Sequence, residues 1–296
     1  MRLSGSLIYH FVAFVVVAIW GSTFVFTKLL LLSGLTPAQI FTLRFIIAYV
    51  LLLGYSLTRN HCWLSDSVKD ELLMMALGVT GGSLYFLTEN SSMNYTTTTN
   101  TSLIVSLSPL IASALISLFY TTERLNRIQM AGTLMAAIGV AVVVLNGHFV
   151  LHLSPLGDSL AFSAALCWGF YSLLMIPANK KYDTVFITRK VFFYGLLSMI
   201  PYYLFCPEET SNLPSFNSSI LLNLLFLGCV ASMLCFLAWN WVMKKLGAVV
   251  ATNYVYFNPV TTILFARVVL SEQITLYFLI GTLLILVGMY LADRKK

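Results

Sequence analysis

Glu89, Lys28 and Arg44 are ionisable side chains that stand inside long apolar stretches of the sequence. A carboxylate in such surroundings is costly unless it faces a cavity or a partner. Glu89 is therefore a candidate to accept a proton, or to bind the amine of a cationic or zwitterionic ligand. A structural salt bridge or a helix-end hydrogen bond, to Lys28 or Arg44, is the alternative. Lys28 and Arg44 are themselves either charged residues of the site or paired or anchoring residues at a membrane interface.

Amide side chains form a second group of candidates. Asn90 and Asn240 lie in apolar stretches, where an amide can bond a ligand or bridge two helices without a net charge. Helix packing is the alternative for both. Asn100, Asn253 and Asn258 are further polar residues that could face the same site.

Aromatic side chains could line such a site. Trp20 and Trp168 lie near the middle of apolar stretches, whereas interfacial tryptophans belong at membrane edges. Aromatic walls suit aromatic or cationic ligands, and simple core packing is the alternative. Tyr171, Trp239 and Tyr254 are weaker candidates of the same type.

Two prolines, Pro109 and Pro259, lie near the middle of apolar stretches. Each frees the carbonyl four residues earlier, at Val105 and Val255, and in lipid these carbonyls need a cavity or a neighbour. We expect kinks that shape a central cavity and permit gating. A purely static kink is the alternative.

Composition sets the class of protein. Of the 296 residues, 59% are apolar and 9% are charged, whereas soluble domains carry about 25% charged residues. This excludes cytosolic enzymes, nucleic-acid-binding domains and disordered chains, and it leaves a polytopic membrane protein. The net charge of +6 is explained by membrane orientation rather than by a nucleic-acid partner.

Hydropathy divides the chain into apolar segments of the roughly 20 residues that a spanning helix needs. We predict an all-α polytopic membrane protein with ten transmembrane helices. Their approximate ranges are 8–32, 36–57, 71–93, 97–120, 127–146, 156–178, 184–205, 219–243, 248–270 and 274–292.

The basic residues orient these helices. Of the 17 Lys and Arg residues, Lys28, Arg44 and Arg267 lie inside predicted helices or at their outer ends, away from the inner face. All others lie on one side if the N-terminus is inside, which follows the positive-inside rule. We expect a multi-pass protein of a bacterial inner (cytoplasmic) membrane with both termini in the cytoplasm.

The two halves of the chain, 1–147 and 148–296, resemble each other. The same spacing separates Gly78 from Pro109 and Gly228 from Pro259, and one register aligns further residues without a gap. These pairs are Leu77/Leu227, Phe86/Phe236, Asn90/Asn240 and Met93/Met243, with Trp20-Gly21/Trp168-Gly169 upstream and Glu123…Gly132…Gly139/Glu272…Gly281…Gly288 downstream.

Each half holds five predicted helices, so the second half must enter the membrane in the opposite sense. Inverted repeats of this kind are typical of secondary transporters, whose ligand site lies near the midplane between the repeats. Duplication in a membrane protein that does not transport is the alternative. The small residues of the fifth and tenth predicted helices, 127–146 and 274–292, either pack against the bundle or form a homodimer face.

Several short motifs resemble those of EamA-type members of the drug/metabolite transporter superfamily. The resemblance covers about 8–292 and occurs in both halves. It is carried by Trp20-Gly21-Ser22-Thr23-Phe24, Leu43-Arg44-Phe45, Pro109, Glu123-Arg124-Leu125, Gly132, Gly139, Leu246-Gly247-Ala248, Tyr256, Pro259 and Glu272.

This resemblance implies ten helices in two inverted five-helix repeats, and export or exchange of small metabolites. It does not imply one substrate. The sequence departs from the family pattern at Glu272-Gln273-Ile274, where E-R-L is expected, and at Thr88-Glu89-Asn90, where a more apolar segment is usual. Glu272 and Glu123 are interpreted as helix caps.

The leading hypothesis is a secondary transporter that works by alternating access and is coupled to protons or to the substrate's own gradient. The expected partners are the lipid bilayer and a small molecule such as an amino acid or amine. No Walker motif, metal-ligand spacing, C-x-x-C pair or catalytic constellation is found, so we expect no cofactor, metal or enzymatic activity. A receptor or scaffold, or an intramembrane enzyme, is the alternative.

Overall fold

The computed structural model describes residues 3–58, 63–120, 126–145, 154–207, 213–270 and 276–293. Within these ranges all regular secondary structure is helical. A 3-10 turn occupies Tyr254–Phe257, between the helices Ala248–Asn253 and Asn258–Leu270. The helices are α1 Leu3–Leu32, α2 Pro37–Thr58, α3 Val68–Tyr95, α4 Thr98–Val105, α5 Ser108–Phe119, α6 Arg127–Leu145, α7 Pro155–Lys181, α8 Thr184–Leu197, α9 Met199–Phe205, α10 Ser218–Leu246, α11 Ala248–Asn253, α12 Asn258–Leu270 and α13 Leu276–Asp293.

Six of the described helical stretches are long and apolar enough to cross a membrane. They are α1, α2, α3, the α4–α5 stretch, α7 and α10. Shorter apolar helices occupy Arg127–Val142 in α6 and Leu279–Ala292 in α13. The protein is therefore an integral, multi-pass membrane protein.

Polar side chains start several helices by capping free backbone N–H groups. Asp183 accepts a hydrogen bond from the N–H of Phe186 at 2.8 Å, and Asn217 accepts one from that of Ile220 at 2.9 Å. The predicted caps Glu123 and Glu272 lie outside the described residues.

Both candidate prolines begin a helical segment, which differs from the predicted kink within one continuous helix. Pro109 lies in the first turn of α5, after a break at residues 106–107 that separates it from α4. Pro259 is the second residue of α12 and follows the 3-10 turn. The first turn suits proline, because its missing N–H would have no intrahelical partner there.

Helices α3 and α10 each contain a π-helical segment, Val79–Ser83 in α3 and Phe226–Leu234 in α10. A glycine at or beside each segment allows close approach of another helix. A Cβ atom built on Gly78 would lie 2.5 Å from Tyr194 Cβ, and one on Gly228 would lie 2.7 Å from Ile47 Cβ. The first segment thus packs on α8 and the second on α2.

Helices α6 and α13 pack closely and antiparallel through their small residues. A Cβ on Gly132 would lie 2.6 Å from the Gly288 carbonyl oxygen, and one on Gly139 would lie 2.8 Å from that of Gly281. The small faces of these helices therefore contact each other within the chain.

Substituting Gly139 by leucine is expected to force α6 and α13 apart, because backbone atoms of α13 occupy the space that the side chain needs. Overpacking of this kind costs about 1–3 kcal/mol. The melting temperature of the detergent-solubilised protein should fall by several degrees. The matched control is Gly54→Leu, since a Cβ on Gly54 would meet no atom within 4 Å. Equal melting temperatures for the two variants would contradict the packing.

Candidate functional site

A cavity lies where α1, α2, α3, α7 and α10 meet the two broken helices α4–α5 and α11–α12. Its wall is mainly aromatic, with two charged side chains and a few neutral polar ones. The lining residues are Trp20, Thr23, Phe24, Arg44, Tyr85, Phe86, Glu89, Val105, Ser108, Trp168, Phe236, Val255 and Asn258.

Glu89 is the acidic group of this wall. Its side chain is 7% exposed, and one carboxylate oxygen accepts a hydrogen bond of 2.6 Å from the Tyr85 hydroxyl. Tyr85 lies one turn earlier on α3, so a single helix positions both groups. Burial of a carboxylate is costly, and the Tyr85 hydrogen bond offsets only part of that cost.

Arg44 is the basic group. It is 1% exposed, its Nε donates to Ser232 Oγ at 2.9 Å, and its guanidinium carbon lies 4.4 Å from the centroid of the Phe86 ring. Among the described residues no basic nitrogen lies within the 4.0 Å of a salt bridge to Glu89. The cavity therefore contains one positive and one negative group that are not joined in a direct ion pair.

These contacts bear on two expectations from the sequence. The salt bridge from Glu89 to Lys28 or Arg44, which was the alternative to a functional role, is absent from the described structure, and Lys28 donates to the Met93 carbonyl at 2.6 Å instead. Arg44 lies in the cavity wall, which fits the interpretation as a charged residue of the site rather than as an interface anchor. Its depth within an apolar stretch was the available signal.

The aromatic wall centres on Trp20 and Trp168, whose ring centroids lie 5.4 Å apart with perpendicular planes. Phe236 lies 5.6 Å from Trp20, and Tyr85 lies 5.2 Å from Trp168. The indole N–H of Trp20 donates to the Ala231 carbonyl at 2.9 Å, whereas the buried indole N–H of Trp168 has no partner among the described residues.

Residues at matched positions of the sequence repeat face one another across this cavity. Asn258 and Ser108 precede the two matched prolines, and each has a buried side-chain oxygen without a partner in the described structure. Four matched pairs contribute to the wall. They are Trp20/Trp168, Phe86/Phe236, Val105/Val255 and Ser108/Asn258.

The close helix approaches beside the cavity follow the same pairing. A Cβ on Gly21 would lie 1.7 Å from Thr261 Oγ1, and one on Gly169 would lie 2.6 Å from Ile111 Cγ2. Thr261 and Ile111 are the second residues after the two matched prolines. Each Trp-Gly pair therefore places its indole at the cavity and uses its glycine to pack on a helix of the other half.

Four of the ten predicted ligand-binding residues, Trp20, Glu89, Trp168 and Asn258, line the cavity. Trp239 lies behind the wall, with its ring 5.0 Å from that of Trp20. Pro109 and Pro259 lie next to the lining residues Ser108 and Asn258 in the chain.

Asn90, Tyr171 and Asn240 are buried in contacts between helices. Asn90 donates to the Pro37 carbonyl at 3.3 Å. Asn240 accepts from the Tyr171 hydroxyl at 2.6 Å and donates to Thr188 at 2.9 Å. These amides bridge helices, which was the alternative for Asn90 and Asn240.

Asn100 and Tyr254 also lie outside the cavity lining, and each links the two halves of the chain. Asn100 donates to Asp158 at 2.6 Å, next to the N-terminus of α7. The Tyr254 hydroxyl lies 2.7 Å from His10 Nδ1. A third link joins Glu71 of α3 to Lys190 of α8 through a salt bridge.

Sequence reasoning missed most of the wall. Tyr85 and Glu89 have the spacing of neighbours on one helix face, and the Phe86/Phe236 pair was visible in the repeat, so both carried a signal. Nine wall residues were not among the ligand-binding candidates. Of these, Arg44 was named as an ionisable residue and the Val105 and Val255 carbonyls were expected at a cavity; the other six are Thr23, Phe24, Tyr85, Phe86, Ser108 and Phe236.

A multi-pass helical bundle around a cavity with separated charges is compatible with a membrane transporter. The chain belongs to the EamA-like transporter family, whose family model matches residues 7–145 and 155–292. The family and the names of its relatives indicate a transporter and not an enzyme.

Several relatives match nearly the whole chain. An "Uncharacterized transporter" of Archaeoglobus fulgidus is 26% identical over 290 residues, 97% of this chain and 98% of that protein. A "Probable amino-acid metabolite efflux pump" of Salmonella typhimurium is 27% identical over 306 residues, covering 95% and 93% of the two chains.

A "Probable terminal-alkyne amino-acid exporter" of Streptantibioticus cattleyicolor is 24% identical over 226 residues, 76% of this chain and 74% of that protein. A solved crystal structure with 22% sequence identity superposes with a TM-score of 0.75 and covers 98% of this chain and 96% of the other. That likeness shows a shared fold.

Proposed function

We propose that this protein is a secondary transporter that exports or exchanges a small zwitterionic metabolite, such as an amino acid, across the cytoplasmic membrane. The observation that carries the proposal is the placement of Arg44 and Glu89 in one cavity, without a salt bridge between them. A zwitterion supplies a carboxylate for the guanidinium and an ammonium for the carboxylate. Binding would thus compensate two buried charges, which are costly when left alone.

The aromatic wall suits the rest of such a ligand. Trp20, Trp168 and Phe236 line the same cavity as the charged groups, and the faces of such rings also favour a cationic group. The unpartnered oxygens of Ser108 and Asn258 add neutral polar contacts. Two relatives whose printed names refer to amino acids or their metabolites support the same ligand class.

The transport mechanism that we propose is alternating access of two inverted five-helix repeats, which together form ten spanning helices. Support comes from the two matches to the family model, 7–145 and 155–292, and from the matched residue pairs around the cavity. The reciprocal antiparallel packing of Gly132 on Gly288 and of Gly139 on Gly281 fits a two-fold relation between the halves.

Contacts between the two halves of the chain lie toward both predicted faces of the membrane. Asn100 and Asp158 are at the predicted outer face, and Glu71 and Lys190 are toward the predicted inner face. With the termini in the cytoplasm, opening to either side would require one set of contacts to break. The prolines Pro109 and Pro259 are proposed to allow these movements, because each lies at a break between helical segments.

The ligand class is tested with three compounds that share one side chain. These are L-phenylalanine, 2-phenylethylamine and 3-phenylpropionate, which carry both charges, the ammonium alone and the carboxylate alone. A ligand at 100 times its Kd stabilises the folded state by about 2.7 kcal/mol. We expect the zwitterion to raise the melting temperature of the purified protein by several degrees, and the other two compounds to have little effect.

Transport is tested separately by counterflow of the labelled zwitterion in proteoliposomes. Counterflow above that of protein-free liposomes supports a transporter. Binding without counterflow would instead favour the alternative of a receptor or scaffold. Equal stabilisation by all three compounds would contradict recognition by Arg44 and Glu89.

A further inference from the structure

The Arg44 guanidinium is held on two sides. Its Nε donates to Ser232 Oγ at 2.9 Å, and its central carbon lies 4.4 Å from the centre of the Phe86 ring. Ser232 is 0% exposed, so water does not compete for this hydrogen bond. Within the described chain the terminal nitrogens Nη1 and Nη2 make no hydrogen bond, although Arg44 lines the cavity. These two nitrogens are the pair that can bind a carboxylate side by side.

Ser232 reaches Arg44 from the other half of the chain. Arg44 lies on α2, whereas Ser232 belongs to the π-helical segment Phe226–Leu234 of α10. The neighbouring Ala231 carbonyl accepts the Trp20 indole N–H at 2.9 Å. A Cβ on Gly228 would lie 3.2 Å from the Arg44 carbonyl oxygen. One π-helical segment therefore positions both Arg44 and Trp20 at the cavity.

The contact has no equivalent in the other half. In the register that aligns Phe86 with Phe236, the counterpart of Ser232 is Gly82. A Cβ on Gly82 would lie 3.4 Å from Gly195 Cα and 3.8 Å from the Val191 carbonyl oxygen, so this position packs on α8 and offers no hydroxyl. The Ser232 hydroxyl therefore has no counterpart at Gly82, and it lies where Arg44 donates its hydrogen bond.

We propose that Ser232 is a positioning residue for the ligand carboxylate. Ser232 holds Arg44 so that the two terminal nitrogens of the guanidinium face the cavity. It thereby links the affinity for the carboxylate to the contact between α2 and α10. The proposal rests on the proposed function, since it takes the carboxylate to be part of the transported ligand. When α2 and the π-helical segment separate, Arg44 loses its partner and the carboxylate loses an aligned donor pair. Separation of α2 from the π-helical segment therefore favours release of the ligand.

The test compares Ser232→Ala with Ser232→Thr in the purified full-length protein. The probes are L-phenylalanine and 2-phenylethylamine, which differ by the carboxylate. Loss of one hydrogen bond of ordinary strength should raise the Kd for L-phenylalanine about three- to tenfold. The Kd for the amine should stay within about twofold, and Ser232→Thr should restore binding of the zwitterion because it keeps the hydroxyl.

The control is Ser56→Ala, which removes a buried serine whose hydroxyl bonds only the Leu52 carbonyl within α2. It should leave both Kd values unchanged. In proteoliposome counterflow, Ser232→Ala should raise the KM for L-phenylalanine by the same factor as the Kd while kcat changes less than twofold. If Ser232→Ala does not fold, Ser232→Cys serves in its place, since it keeps the volume and is a weak acceptor.

Three results would count against the inference. Unchanged L-phenylalanine binding in Ser232→Ala overturns it, and so does an equal loss for both probes, which would indicate a merely structural role. Failure of Ser232→Thr to restore binding overturns it as well. A wild-type protein that shows no preference for the zwitterion over the amine overturns the proposed function itself, and that result is read before any variant is compared.

Discussion

Replacing Arg44 by glutamine is expected to weaken binding of a zwitterionic ligand about 10- to 100-fold. Hydrogen bonds to charged groups contribute about 1.5–3 kcal/mol, and each 1.4 kcal/mol is a factor of ten in Kd. Arg44 is the only Lys or Arg side chain in the wall of this cavity as the described residues form it, so no other basic group there replaces it. Binding is measured as the Kd of L-phenylalanine for the purified protein.

The same substitution should leave binding of 2-phenylethylamine unchanged or make it tighter, because a positive charge near the ammonium is removed. The matched control is Arg127→Gln, since Arg127 is exposed at the start of α6 and away from the cavity. It should leave both Kd values as in the wild type. Equal weakening of the zwitterion and the amine by Arg44→Gln would show that the substitution disturbs the cavity generally, and it would argue against a carboxylate site.

Much of the architecture could be predicted because it depends on local composition and on repetition. The apolar stretches that became α1, α2, α3, α7 and α10 are long and continuous, and hydropathy is sufficient to find such segments. The Trp-Gly and Pro matches indicated which residues would be equivalent, and matched residues do meet at the cavity. The inverted arrangement of ten helices remains a proposal.

The details that sequence could not supply are contacts between distant residues. Depth in an apolar stretch indicated that Glu89, Lys28 and Arg44 need partners, but it did not distinguish Met93 from Ser232 as an acceptor. Asn100 was expected at the ligand site since it lies on the helix that contains Pro109. It lies in the first turn of α4 and donates to Asp158 at 2.6 Å instead.

The local structure at the two prolines also could not be decided from the sequence alone. Their spacing marked the two places where the backbone must change, and Val105 and Val255 do line the cavity. A proline can kink a helix or begin one, and the flanking residues decide which occurs. Ser106 bonds back to the Ser102 carbonyl at 2.6 Å, which closes the preceding segment and leaves Pro109 to start the next.

We propose that Glu89 couples transport to protons, and Glu89→Gln is then expected to reduce uptake driven by a pH gradient to the level of protein-free liposomes. We take the ammonium of the ligand and a proton to compete for this carboxylate, so that one leaves as the other binds in each cycle. Glutamine keeps the shape of the side chain and can still accept the Tyr85 hydrogen bond, but it cannot take up a proton. Proteoliposomes with an acidic interior provide the driving force.

Exchange of ligand for ligand does not require proton release, so at saturating ligand on both sides Glu89→Gln should retain counterflow within about threefold of the wild type. Its Kd for L-phenylalanine should rise about 10- to 100-fold, since the partner of the ammonium has lost its charge. The control is Asp66→Asn, because Asp66 is exposed, pairs with Lys181 at 3.2 Å, and such surface pairs contribute little. If Glu89→Gln kept its pH-driven uptake, Glu89 would be a structural group held by Tyr85, and the protons would have to be carried elsewhere in the chain.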